Sequence, residues 1–111
     1  MTNLFGKYTA LSLDGKAAPA GVVLEFSAGA SNGTVRIHAR VANILNGQLK
    51  QKDNDTLSGP MISTMMMGST SQMEMEDALS QGFMDGMSYK IGQDGALTLR
   101  SGAHVIKCAR A

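Results

Sequence analysis

Residues Thr34 to Val41 alternate without a break, with Val35, Ile37, Ala39 and Val41 on one side and Thr34, Arg36, His38 and Arg40 on the other. Successive strand side chains point to opposite faces, so this order demands a sheet with one apolar face and one wet face. Around that stretch Gly, Asn and Asp recur roughly every ten residues, the spacing of short antiparallel strands. The same reading predicts strands at Leu4 to Leu13 (closing on Asp14-Gly15), Val22 to Phe26, Gln48 to Lys52, Thr56 to Leu57 and Met61 to Met66. Three more follow at Ser88 to Ile91, Ala96 to Arg100 and His104 to Cys108. Asp53-Asn54-Asp55 lacks the later Gly and bidentate Glu of a calcium loop and reads as a hairpin turn.

One segment departs from this order. Ser71-Gln72-Met73-Glu74 has the spacing of a capping box, and Met75, Ala78, Leu79, Gly82 and Phe83 recur as the stripe of a helix laid on a core. Glu74, Glu76 and Asp77 then fall in the first two turns, where carboxylates suit the positive end of the helix dipole. Gly86 is a natural stop. The expected fold is mainly β (α+β): an antiparallel, barrel-like meander of about eight strands with one helix near residues 72–85, in a single domain over residues 1–111.

Eight of the nine methionines lie between Met61 and Met87, and the chain has no Trp. Methionine is unbranched and polarisable, so it serves either as core filler or as an adaptable apolar surface. Met75 belongs to the helix stripe, and Met61, Met65 and Met67 alternate along one strand face, which favours packing. Met66 and Met73 fall off those faces. They point to an apolar groove between helix and sheet, with Met65, Met66, Met67, Met73 and Phe83 as its candidate lining.

Other chemistry has little to work with. Ten Lys and Arg face nine Asp and Glu in scattered order, and only five aromatics are present, so a nucleic-acid binder is not expected. No apolar run is long enough to span a membrane. The first residues lack the pattern of a signal peptide, and Cys108 is the single cysteine, so the chain reads as cytoplasmic. His104 and Cys108 sit too far apart on a strand to form a nucleophile pair. His38 shares the wet face with Arg36 and Arg40. Two histidines and one thiol offer no metal-ligand spacing, and no His or Cys stands near the methionines to support copper(I) binding, so no metal and no cofactor are expected.

Read in order, the residues resemble the META domain, the small fold shared by bacterial HslJ-like heat-shock lipoproteins and kinetoplastid META proteins. Leu4-x-Gly6-x-Tyr8 with Leu13-Asp14-Gly15 is similar to that family's opening, with Tyr8 in place of Trp. Phe26 fits the aromatic that ends its second strand. Asn43 and Gly47 match one family signature, and Thr64 and Met66 match a second. Glu76, Leu79 and Phe83 fit the following helix, and Tyr89, Leu97 and Leu99 the closing hairpin. Bacterial members carry a Cys in each signature where this chain has Ala42 and Gly68, and a disulfide joining them would suit an oxidising periplasm. Its loss here argues for the kinetoplastid form.

The resemblance implies a closed or nearly closed barrel with one helix. It further implies a virulence-associated protein of the infective stage, placed near the flagellar pocket and linked to secretion, with no catalytic residues to carry over. The expected function is therefore a non-enzymatic binding module for a protein, lipid or other apolar ligand, most simply a monomer. The alternatives are a small hydrolase using His38 or His104 with a carboxylate, and an inert stress-protective domain.

Overall fold

The alternating stretch forms strand β4 (Thr34–Arg40), and its apolar side, Val35, Ile37 and Ala39, is fully buried. A computed structural model describes residues 4–53, 55–64 and 66–111. The remaining strands are β1 (Gly6–Leu13), β2 (Lys16–Ala17), β3 (Val23–Ala28), β5 (Ile44–Lys52), β6 (Thr56–Ser58), β7 (Met61–Ser63), β8 (Met87–Ile91), β9 (Leu97–Arg100) and β10 (Val105–Arg110). All pairings are antiparallel. The order β1-β3-β4-β5-β6-β8-β9-β10 closes when β10 returns to β1, giving an eight-stranded barrel that leaves β2 and β7 as short attachments. Closure removes the exposed edges that an open sheet would present to other chains.

The seam between β1 and β10 pairs Tyr8 with Arg110 and Leu13 with Ile106, with an irregularity between Ala10 and Ser12. Tyr8 is fully buried there. Its hydroxyl donates to the Leu4 carbonyl at 2.9 Å, its ring meets Phe26 edge-on at 6.0 Å, and the Arg110 guanidinium lies 4.8 Å from the ring centre. Burial raises the Tyr8 pKa, so the phenol stays neutral. Tyr8 thus supplies a large apolar body and a satisfied polar tip at the closing point.

The single helix, α1 (Thr70–Asp85), buries Met75, Ala78, Leu79, Gly82 and Phe83 into the same cluster that holds Leu24, Ile37, Leu49, Leu57 and Leu99. Sequestering Met75, Leu79 and Phe83 contributes on the order of 5–8 kcal/mol as an upper bound. Gly82 leaves room for the buried Met87 side chain, whose methyl a Cβ at that position would displace. Gly86 ends the helix at φ 103°, and the Gly59 amide donates to the Phe83 carbonyl, tying the last turn to the sheet.

Two expectations about α1 need correction. The N-cap is Ser69, not Ser71: its hydroxyl accepts from the Gln72 amide, and the Gln72 side chain returns to the Ser69 amide at 2.8 Å. The chain holds two overlapping capping-box spacings, and the earlier one is used. The first turn consequently contains no acid. Glu74, Glu76 and Asp77 lie beyond the reach of the dipole, which fades within that turn, and so require another explanation.

The predicted strand Met61 to Met66 also stops early, at Ser63. Beyond it the Thr64 hydroxyl and the Met66 amide both donate to Asn43 Oδ1, so a side-chain amide replaces the strand ladder. The alternation that placed Met67 on a core face therefore does not continue. Met67 is 93% exposed, while Met75 and Met87 are the buried methionines among the described residues. Met65 and Asn54 lie outside the described residues.

Candidate functional site

Thr64, Met66 and Met67 lie beside the N-terminal half of α1, and what holds Thr64 and Met66 there is a buried polar knot. Ala42 and Asn43 form the tip between β4 and β5, where Arg40 still pairs with Ile44. A tight tip leaves amides with no strand partner, and buried amides must find acceptors. The Glu76 carboxylate supplies one: Oε2 accepts from the Asn43 amide at 2.7 Å and from the Ala42 amide at 3.1 Å. Its Oε1 accepts from Asn43 Nδ2 at 2.8 Å.

Asn43 carries the knot on to the loop. Its Nδ2 also donates to the Met66 carbonyl at 3.0 Å, while its Oδ1 accepts from the Met66 amide at 2.6 Å and from the Thr64 hydroxyl at 2.9 Å. Both donors and both acceptor sites of the amide are thereby used. Asn43 and Glu76 are the two buried polar side chains among the described residues, 3% and 5% exposed. The Met66 backbone is gripped on both its polar groups by a side chain that cannot move without breaking others.

What this grip presents is apolar. Met66 (57% exposed), Met67 and the half-buried Met73 face a hollow of about 290 Å³ together with Asn43, Ser63, Thr64, Glu76, Asp77 and Ser80. The structure thus brings Met66, Met67 and Met73 together around one opening. It does not bring Phe83 there. Phe83 is fully buried, facing the barrel interior with Leu79, so its assignment to the groove is corrected. Met65 is not described. Of the signature residues, Thr64 and Met66 are both hydrogen-bonded to Asn43, whereas Gly47 stands apart. A Cβ at Gly47 would lie 2.9 Å from the Pro60 carbonyl oxygen, so it serves the close approach of the β5–β7 connection.

Sequence reasoning missed Asp77 and Ser80 as lining. It also missed Met84, 58% exposed. Their signal was the helical spacing 73, 77, 80 and 84, a second stripe beside the buried one.

A separate hollow of about 370 Å³ lies near the other flank of the helix start, lined by Leu13, Asp14, Lys16, Ala17, Pro19, Ser71, Glu74, Asp77 and His104. Asp14, in the left-handed region at φ 53°, occupies the turn after β1. Its Oδ2 lies 2.6 Å from His104 Nδ1, its Oδ1 accepts from the Val105 amide at 2.7 Å, and its own amide donates to the Val105 carbonyl. The His104 hydrogen bond, followed by the Val105 amide, holds the Asp14 carboxyl below its ordinary pKa. This exposed clasp pins the turn to the start of β10.

No hydroxyl or thiol is hydrogen-bonded to the remaining ring nitrogen of either histidine among the described residues. His38 Nδ1 instead lies 2.8 Å from Asn46 Oδ1 on the outer sheet face. Cys108 is buried, and desolvation pushes its thiol up to about 12, far from the thiolate a nucleophile needs. No group of three or more His, Cys, Asp or Glu is placed to hold a metal among the described residues. No helix of the described residues is long and apolar enough to cross a membrane.

A small closed antiparallel barrel with one helix docked beside it, its signature residues knotted at the helix–hairpin junction, defines the class of protein. The META domain profile matches residues 2–111, and the chain belongs to the META domain family. Two solved solution structures share the fold. One, an NMR structure of a protein, superposes with a TM-score of 0.80 at 16% identity, covering 96% of this chain and 90% of that one. Another, the NMR structure of a protein from Burkholderia xenovorans, gives 0.70 at 17% identity, covering 99% and 85%. The comparison with curated proteins gave no match.

Proposed function

We propose that this protein is a non-enzymatic binding module, acting as a monomer, whose contact surface is the Met66–Met67–Met73 hollow. The observation that carries this reading is the pairing of exposed thioethers with a pinned backbone. Methionine adapts its shape to a partner, and a pre-ordered loop spares the partner the entropy of fixing it. A role in infectivity or secretion, implied by the family resemblance, asks for such contact and not for bond-making.

Titration of an uncharged apolar fluorophore, N-phenyl-1-naphthylamine, against the wild type and the Met66→Glu and Met73→Glu variants tests the reading. Each charge placed in the hollow is expected to weaken binding about tenfold, the loss of roughly one apolar contact. Equal binding by all three proteins overturns it, and so does absence of binding to the wild type, which is what an inert structural domain would show.

A second reading attaches to the 2.6 Å pair of His104 and Asp14 beside the other hollow, an arrangement that a small hydrolase would use. On the binding-module reading, hydrolysis of a p-nitrophenyl ester by the wild type equals that by His104→Ala. Turnover that disappears in His104→Ala would favour the enzyme.

A further inference from the structure

Resting on the binding-module reading, we infer that the methionine hollow takes a basic amphipathic helical segment of a partner protein. Its apolar side chains would lie on Met66, Met67 and Met73, and its Lys or Arg residues would meet the carboxylates of α1.

Charge complementarity chooses this occupant. The helix carries Glu74, Glu76, Asp77 and Asp85 and no basic residue. Glu76 is spent on the Asn43 knot, but Glu74, Asp77 and Asp85 are exposed, and none forms an ion pair among the described residues. The two acidic or basic side chains lining the methionine hollow, Glu76 and Asp77, are both carboxylic. Asp77 lines both this hollow and the neighbouring one, where Glu74 and Asp14 add further negative charge beside Lys16 and His104. An apolar floor with an acidic margin repels acidic segments and anionic membrane surfaces and attracts cations.

Shape supports a helical occupant. Met73, Asp77, Ser80 and Met84 follow one another up the exposed face of α1 at spacings of four, three and four residues, a row about 16 Å long. A partner helix of about three turns laid along that row would place anchors at i, i+4 and i+7 against it. The pinned Met66, with the exposed Met67 next to it, closes one side of the row.

The test uses the full chain and three fluorescein-labelled peptides of about eighteen residues, long enough for a few helical turns. One carries Leu and Phe on one face and Lys on the other. A second replaces every Lys with Glu, and a third scrambles the first. Fluorescence anisotropy at low salt is expected to give a Kd for the Lys peptide at least about tenfold tighter than for either control, with the charge-dependent gap closing by about 0.5 M salt, where screening is nearly complete.

Asp77→Asn with Glu74→Gln, both surface changes, should remove most of the gap between Lys and Glu peptides. Met66→Ser with Met67→Ser should weaken the Lys peptide. Equal binding of Lys and Glu peptides, equal binding of the scrambled peptide, or a gap unmoved by Asp77→Asn with Glu74→Gln overturns the inference. If the methionine changes weaken binding while charge has no effect, the apolar contact site stands and only its basic partner falls. Binding to phosphatidylcholine vesicles with no response to the Lys peptide also overturns it, in favour of a lipid surface.

Discussion

Two carboxylates in this molecule do the same formal task in opposite surroundings. Glu76 reaches from the helix to the hairpin tip and accepts from two backbone amides and a side-chain amide while 5% exposed. Asp14 reaches from a turn to the start of β10 and accepts from a backbone amide and a histidine while its side chain is 41% exposed. When a buried acceptor is lost, the donors it served stay dry and unpaired. When an exposed one is lost, water takes its place. The contrast teaches that hydrogen-bond geometry alone does not rank these sites; the availability of solvent does.

The sharpest way to break the comparison is Glu76→Ala. Stranding three donors, two of them buried and the Ala42 amide part-buried, is expected to cost about 3–4 kcal/mol, read as a fall in the denaturation midpoint in urea at constant slope. A loss under about 1 kcal/mol would mean that water reaches the knot and the two carboxylates are equivalent. Asn43→Ala should come next, at about 2–3 kcal/mol, and should also speed hydrogen exchange at the Met66 amide, which loses its acceptor.

A covalent substitute sharpens the point from the other direction. A Cβ built on Gly68 would lie 2.5 Å from the Ala42 Cβ, closer than the roughly 3.8 Å of a relaxed disulfide. Ala42→Cys with Gly68→Cys should therefore oxidise readily after the loop backs off by about 1 Å. The gain expected is about 2 kcal/mol, below the entropic limit because of that adjustment. Introduced into Glu76→Ala, the bridge should recover much of the lost stability. Failure to recover any would mean that Glu76 serves its amides locally and does not fasten the loop.

The smallest effect belongs to Asp14→Asn. The folded carboxyl has a lowered pKa, so its contribution is present above the ordinary carboxylate range and disappears as pH falls through the lowered value. The melting temperatures of wild type and Asp14→Asn should differ slightly at about pH 6 and converge as the pH falls through the lowered value, where the wild-type carboxyl becomes protonated. A difference that grows on acidification contradicts the clasp.

Much of the barrel was legible because strand order leaves local marks. The period-two run in β4, the Asp14-Gly15 turn and the stop at Gly86 each rest on neighbours in sequence. The candidate site was legible only in outline. Asn43, Thr64, Met66 and Glu76 all stood among the residues resembling META signatures, yet nothing local said that they touch one another. Glu76 lies 33 positions from Asn43, and between Met75 and Asp77 it looks like an ordinary acid on a wet helix face.

Phe83 was misplaced for the opposite reason. Its position on the apolar stripe was right, but a stripe shows which residues turn inward and not where an opening lies. The helix start was ambiguous in itself, since Ser69-Gln72 and Ser71-Glu74 have the same spacing, and tertiary contacts chose between them. The Asp14–His104 clasp, separated by 90 positions, left no trace in either neighbourhood.

The last stave of the barrel has a consequence in time. Strand β1 finds one of its two long neighbours only in Val105–Arg110, so during synthesis it must wait for almost all of the domain to be made. At ribosomal speeds of about 5–20 residues per second that delay is some 5–20 seconds. Through it, β1 has an unsatisfied flank open to any passing strand, and the nascent domain is most vulnerable to misassembly just before it is finished.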